Sequence, residues 1–155
     1  MVEIKLEDPI VKSFLFYVSL LVAKVLVMAL LTALQRMQKK VLPSEEDTKF
    51  FTILLRKEMK VARDDPDVER VRRAHLNDLE NIPQFIFAGS IYILTQPNEF
   101  LAINLFRTYT IFRGLHTLVY AIIPIPQPAR VICFSIPFAI TYYMLLMNVL
   151  NFFKI

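Results

Sequence analysis

Phe14 to Leu34, FLFYVSLLVAKVLVMALLTAL, is almost uninterrupted apolar sequence with one cation, Lys24, near its middle. At a helical rise of ~1.5 Å per residue the run can cross a hydrocarbon layer of about 30 Å. In lipid such a run must be helical, because only then are all its backbone N–H and C=O groups paired within the segment. Lys24 lies too deep to reach either interface comfortably by extending its stem. It is therefore expected to turn towards the interior of a helix bundle, near carbonyls or a carboxylate.

The rest of the chain follows the same logic. Of its 155 residues 55% are hydrophobic, and the mean hydropathy is +0.47, more than a soluble domain of this size easily hides. The expected fold is an all-α membrane protein, a single domain over residues 1–155 built as a bundle of four transmembrane helices. The spans are expected at about 12–36, 70–95, 100–123 and 130–153. Asp64-Asp65-Pro66 separates the loop from the second span, Thr95-Gln96-Pro97-Asn98 makes a compact turn, and Pro124, Pro126 and Pro128 break the third span from the fourth. Pro83 predicts a kink in the second helix, and Pro137 a bend in the fourth. The intervening loop, about 37–69, is rich in Lys and Arg, which places it on the cytoplasmic side. Within it Pro43, Ser44 and Glu45 to Asp47 suggest a turn and a short helix start, which Thr52 to Leu55 could extend as an interfacial helix, broken at Asp64-Asp65-Pro66.

Several function classes are set aside on composition and motif. The net charge is +4, but the basic residues flank apolar spans instead of forming an aromatic-studded patch, so no nucleic-acid partner is expected. Cys133 is the sole cysteine and is expected to pack inside the last span, so no intrachain disulfide can form. The first apolar segment lacks a small-residue cleavage site and reads as retained. His75 and His116 fall on different helices without a third ligand at metal spacing, so no metal is expected.

The chemistry concentrates between Asp65 and Pro83, where a dense polar stretch feeds an apolar helix and carries ionisable groups towards membrane depth. Arg73, Asn77 and Glu80 stand at i, i+4 and i+7 and share a helix face. Cation, amide and carboxylate together suit a zwitterionic peptide with several carboxylates; a juxtamembrane charged turn laced with salt bridges is the alternative. Arg113, His116 and Tyr120 likewise share a face, and the alternation of spans brings Tyr120 and Arg130 to the same membrane side as Arg73, Asn77 and Glu80.

Three segments, VERVRRAHLNDLENIPQF from Val68, RGLHTLVY from Arg113 and PQPAR from Pro126, resemble the MAPEG superfamily, and within it the type 1 glutathione transferase branch, over nearly the whole chain. The resemblance implies four-helix subunits assembled as homotrimers in the endoplasmic reticulum membrane, and in the mitochondrial outer membrane as well. It implies glutathione as co-substrate, bound between neighbouring subunits near the cytosolic side. Matched position by position, Arg73, Asn77, Glu80, His116, Tyr120 and Arg130 fall on glutathione-binding positions, with Arg36 a weaker match. Arg130 falls on the catalytic position beside the sulfur. A free thiol of pKa about 8.5 is only a few per cent thiolate near pH 7, and an adjacent guanidinium favours the anion. An anchor to a lipid headgroup is the alternative role for Arg130.

The chain departs from the prostaglandin E synthase branch at three places. Val131 stands where that branch has a serine after the arginine, Leu76 where it has an arginine, and Phe134 where it has a tyrosine. The resemblance therefore implies a transferase that joins glutathione to hydrophobic electrophiles entering from the bilayer, or reduces lipid hydroperoxides. A glutathione-dependent isomerase and a non-catalytic lipid-binding helper are the other readings. The type 1 branch also carries a thiol-sensing cysteine after the Glu-Asp pair of the loop, where this chain has Thr48.

Overall fold

The computed structural model describes residues 6–153, so the expected domain limits at residues 1 and 155 lie outside the described residues. Four long helices carry the chain: α1 Pro9–Lys39, α3 Pro66–Tyr92, α4 Glu99–Thr117 and α5 Ala129–Phe153. The connection after α1 holds a two-residue strand β1 Val41–Leu42, a short helix α2 Glu45–Leu55 and a second strand β2 Lys60–Val61. A 3-10 turn Ile93–Thr95 follows α3, and a π-helical turn Leu118–Ile122 follows α4.

The helix starts are written in the sequence. Asp8 and Asp65 each precede a proline at the first helical position, and each side chain accepts from backbone N–H groups of the first turn: Ile10 at 2.7 Å, and Asp67 and Val68 at 3.1 Å. Asn98 caps α4 by accepting from the Leu101 N–H at 3.1 Å. Ser44 caps α2, whose first turn holds Glu45, Glu46 and Asp47 against the positive end of the helix dipole. Lys40 and Arg56 end α1 and α2 in the left-handed region, at φ 57° and 51°.

α1 and α5 both pack on α3 and α4. At one end of the bundle Phe14, Phe85, Phe106, Tyr109 and Met144 form an apolar core, with the Phe85 and Tyr109 rings stacked 3.7 Å apart. Gly89 lets α1 approach α3 there, since a Cβ at that position would overlap the Phe14 ring. Asn148 ties α5 to α3 by donating to the Ala88 carbonyl at 3.0 Å. Towards the other end a smaller cluster, Met28, Val71, Ala74 and Ala121, closes the bundle.

A long helix lies at each expected span, and α1 and α5 are long and apolar enough to cross a membrane. α3 runs on through Pro83 and α5 through Pro137 without interruption. Three details add to or differ from expectation. The connection also holds a small sheet, in which Val41 and Leu42 pair in parallel with Lys60 and Val61. α2 stops at Leu55 with the left-handed Arg56, well before Asp64-Asp65-Pro66. The third helix is α-helical only to Thr117, after which Ile123 donates to Leu118 at 2.8 Å, an i→i+5 bond.

Just beyond the apolar stretch of α1, Lys39 pairs with Asp67, which also accepts from Arg70 at 2.8 Å. The hydrogen bond from Lys39, then that from Arg70, holds the Asp67 carboxyl below its ordinary 3.8, and the bond to Asp67 holds Lys39 above 10.5. Stability from Asp67 is thus present above pH 3.8 and lost as pH falls through its lowered value; that from Lys39 is present below 10.5 and lost as pH rises through its raised value. The groups are exposed and the effect is small. Asp67→Asn should therefore flatten the acid limb of the unfolding midpoint below about pH 4, measured by thermal melts in detergent. Gly89→Ala should cost about 1–3 kcal/mol through overpacking. Phe14→Leu in the same chain should recover part of that loss, whereas strictly additive effects would show that the two positions do not meet.

Candidate functional site

α3 presents Arg73, Leu76, Asn77 and Glu80 to a pocket of about 290 Å³, closed on the other side by His116 of α4 and Tyr120 of the π-helical turn. The His116 and Tyr120 rings lie 5.5 Å apart and within 10° of parallel. On Tyr120 in turn rests Arg130, from the first turn of α5, its guanidinium carbon 4.8 Å from the ring centroid. The chain therefore sets a cation, an amide, a carboxylate, an imidazole and a phenol around one small space, with a second guanidinium one ring away.

Beneath this pocket lies a buried ionic cluster. Asp78, fully buried on α3, pairs with Lys24 of α1 through one carboxylate oxygen and with Arg113 of α4 through the other. The same Arg113 Nη2 donates to Asn77 Oδ1 at 3.0 Å. Arg113 is itself fully buried, and its Nε and Nη1, like His116 Nδ1, have no hydrogen-bond partner among the described residues.

Comparison with known proteins gives this arrangement a context. The MAPEG family model matches residues 14–150. The chain belongs to the MAPEG family. It is similar to microsomal glutathione S-transferase 1 of Homo sapiens, 37% identical over 139 residues, 90% of this chain and 88% of that protein. The same enzyme of Bos taurus is 39% identical over the same shares. Prostaglandin E synthase of Homo sapiens is 37% identical over 115 residues, 74% of this chain and 72% of that protein. MAPEG proteins are membrane proteins, and the two strongly apolar helices α1 and α5 agree with that.

Of the positions that the sequence singled out in this MAPEG chain, Arg73, Asn77, Glu80, His116 and Tyr120 line one pocket, and Arg130 joins it through Tyr120. Arg36, near the end of α1, is not among the lining residues. Lys24 turns inward onto a carboxylate, as its depth demands. Cys133 is buried, but at the start of α5 and not deep within it. Thr48 is buried too, its hydroxyl donating to the Ser44 carbonyl at 2.7 Å.

The sequence reading did not pick out Asp78 or Arg113 as the floor of the pocket. A signal for Asp78 was present: it lies in register with Val71, Ala74, Ile82 and Phe85, the buried apolar stripe of α3, and an acid on such a stripe needs a cation.

The stack of His116, Tyr120 and Arg130 is testable on its own. Tyr120→Phe keeps both ring contacts and should leave the unfolding midpoint nearly unchanged. Tyr120→Leu removes the ring and should cost about 1–2 kcal/mol, from the lost stacking and cation–π contact, in thermal melts of the detergent-solubilised protein.

Proposed function

We propose that this MAPEG protein is a membrane-bound glutathione transferase, with glutathione held in the Arg73–Tyr120 pocket and its thiolate stabilised by Arg130. The observation that carries the reading is the convergence of Arg73, Asn77, Glu80, His116 and Tyr120, from two helices and a π-helical turn, on one polar space. Charge supports it. Lys24, Arg73, Arg113 and Arg130 are four cations against the two carboxylates of Asp78 and Glu80. Glutathione carries two carboxylates and one ammonium, and as a thiolate one negative charge more, so the surplus of cations matches the activated peptide. Arg73 suits a carboxylate and Glu80 the ammonium.

The pocket, at about 290 Å³, is near the lower limit of about 300 Å³ for small-molecule sites. A neighbouring subunit of a homotrimer would enlarge and close it. In this reading α1, α3, α4 and α5 all span the endoplasmic reticulum membrane, the basic loop faces the cytoplasm, and the pocket opens near that side. The same assembly is proposed for the mitochondrial outer membrane.

Glutathione loses its thiol proton to solvent, and Arg130 lowers the cost of the anion by about 1.4 kcal/mol for each unit of pKa depression. The sulfur then forms a bond to an electrophilic carbon, and that carbon's bond to its leaving group breaks. One turn beyond Glu80, an apolar cleft of about 180 Å³ runs between α3 and α5, lined by residues such as Gln84, Phe138 and Tyr142. It suits a hydrophobic electrophile drawn from the bilayer. Lipid hydroperoxides are proposed as a second substrate class, reduced at the expense of two glutathione molecules. Leu76, Val131 and Phe134 replace polar side chains of the prostaglandin E synthase branch, which favours the transferase over the isomerase.

The test uses the full chain in detergent with glutathione and a chloronitrobenzene. Wild type should show the ultraviolet band of bound thiolate and conjugate the electrophile. Arg130→Ala should lose the band while remaining an oligomer, and Glu80→Gln should bind glutathione at least several-fold more weakly. Glutathione binding without conjugation of any electrophile class would favour the isomerase. Absence of binding by the folded protein would leave the lipid-binding helper.

A further inference from the structure

Asn77 is the one amide lining the pocket, and such a side chain can be turned either way: it offers an oxygen acceptor on one side and an NH2 donor on the other. Which side meets the ligand decides what the pocket recognises there. The buried cluster beneath it removes that freedom. A guanidinium can only donate, and Arg113 Nη2 lies 3.0 Å from the Asn77 side chain, so the amide oxygen must face Arg113. Arg113 cannot move aside, because it is fully buried and paired to the equally buried Asp78. Lys24 completes the lock by pairing with the second oxygen of Asp78.

We propose that Arg113 is a positioning residue that aims the Asn77 amide NH2 into the pocket, with Asp78 and Lys24 holding Arg113 in place. The inference rests on the glutathione reading and adds to it a specific contact. Asn77 donates to an acceptor of the bound peptide, a carboxylate or a peptide carbonyl, and does not accept from its ammonium. The ammonium is then left to Glu80, the one carboxylate among the lining residues. The cluster also carries one positive charge more than its carboxylate neutralises, so the pocket floor favours an anionic ligand group.

Asn77→Asp separates the two orientations in a chain whose core is untouched. The carboxylate still accepts from Arg113 but has no hydrogen to donate. Affinity for glutathione, measured by titration calorimetry on the full-length detergent-solubilised protein, should fall about tenfold or more, as in Asn77→Ala. Were the amide oxygen the ligand-facing group, Asn77→Asp would bind glutathione as tightly as wild type or tighter, and that result overturns the assignment. Arg113→Met leaves Asp78 paired to Lys24 and frees the amide to rotate. It should raise KM for glutathione by a larger factor than it lowers kcat, and Arg113→Lys should restore part of the loss. A purely structural Arg113 would instead reduce the yield of folded protein and leave the affinity of the folded fraction at the wild-type value, which also overturns the proposal. If folded wild type binds no glutathione, the functional reading itself fails and this assignment falls with it. If wild type binds and Asn77→Asp binds equally, only the orientation is wrong.

Discussion

A carboxylate enclosed in an apolar bundle is the constraint on which this structure turns. Asp78 has no access to water, and its ionised form is tolerable only because Lys24 and Arg113 reach it from two other helices. Such a cluster is a poor source of net stability, since desolvating three charges offsets most of their attraction. Its value lies in register. Any slide of α1 or α4 along α3 leaves a charge buried without its partner, which is far costlier than a misplaced methyl group. The depth at which each helix sits is therefore set by one side chain on α3.

The remaining architecture divides around that point. Towards one end the bundle is filled with rings, Phe14, Phe85, Phe106 and Tyr109, packed closely enough that Gly89 leaves no room for a methyl. Towards the other end the apolar cluster is smaller, with Met28, Val71, Ala74 and Ala121, and polar side chains of α3 and α4 line a pocket. The rigid aromatic half anchors the backbone of α3 and α4, and the polar half hangs its donors and acceptors on them. A binding site on rigid helices keeps its geometry without a ligand to organise it.

How far the sequence revealed this depended on the kind of signal. Lys24 was readable because one cation in a long apolar run has few physical options, and the partner type followed. The face shared by Arg73, Asn77 and Glu80 was readable because helical spacing is exact enough over two turns. Asp78 was hidden by its neighbours: among so many charged residues a single acid on the buried stripe does not stand out until the stripe is drawn. The pairing of Val41 and Leu42 with Lys60 and Val61 involves two residues a side, below any periodicity that could announce it. The π-helical turn escaped for a related reason, because a wider turn leaves no mark on the apolar pattern of Leu118 to Ile122. Arg36 was placed by resemblance alone, since nothing in the spacing tied it to α3 or α4.

The small parallel pairing beside α2 has a consequence for how the chain is divided. Lys60 donates to the Lys40 carbonyl at 2.8 Å and Ala62 to that of Leu42 at 3.0 Å, so the two ends of the connection are stitched together outside the bundle. Covalent continuity through α2 is then not what keeps α1 beside α3; the stitch and the buried Lys24 pair do that independently. The protein is in effect a one-helix piece and a three-helix piece that recognise each other. An interruption within α2 removes neither the strand pairing nor the Lys24–Asp78 pair, which makes this connection the natural place to split the protein into complementing fragments or to insert a reporter domain.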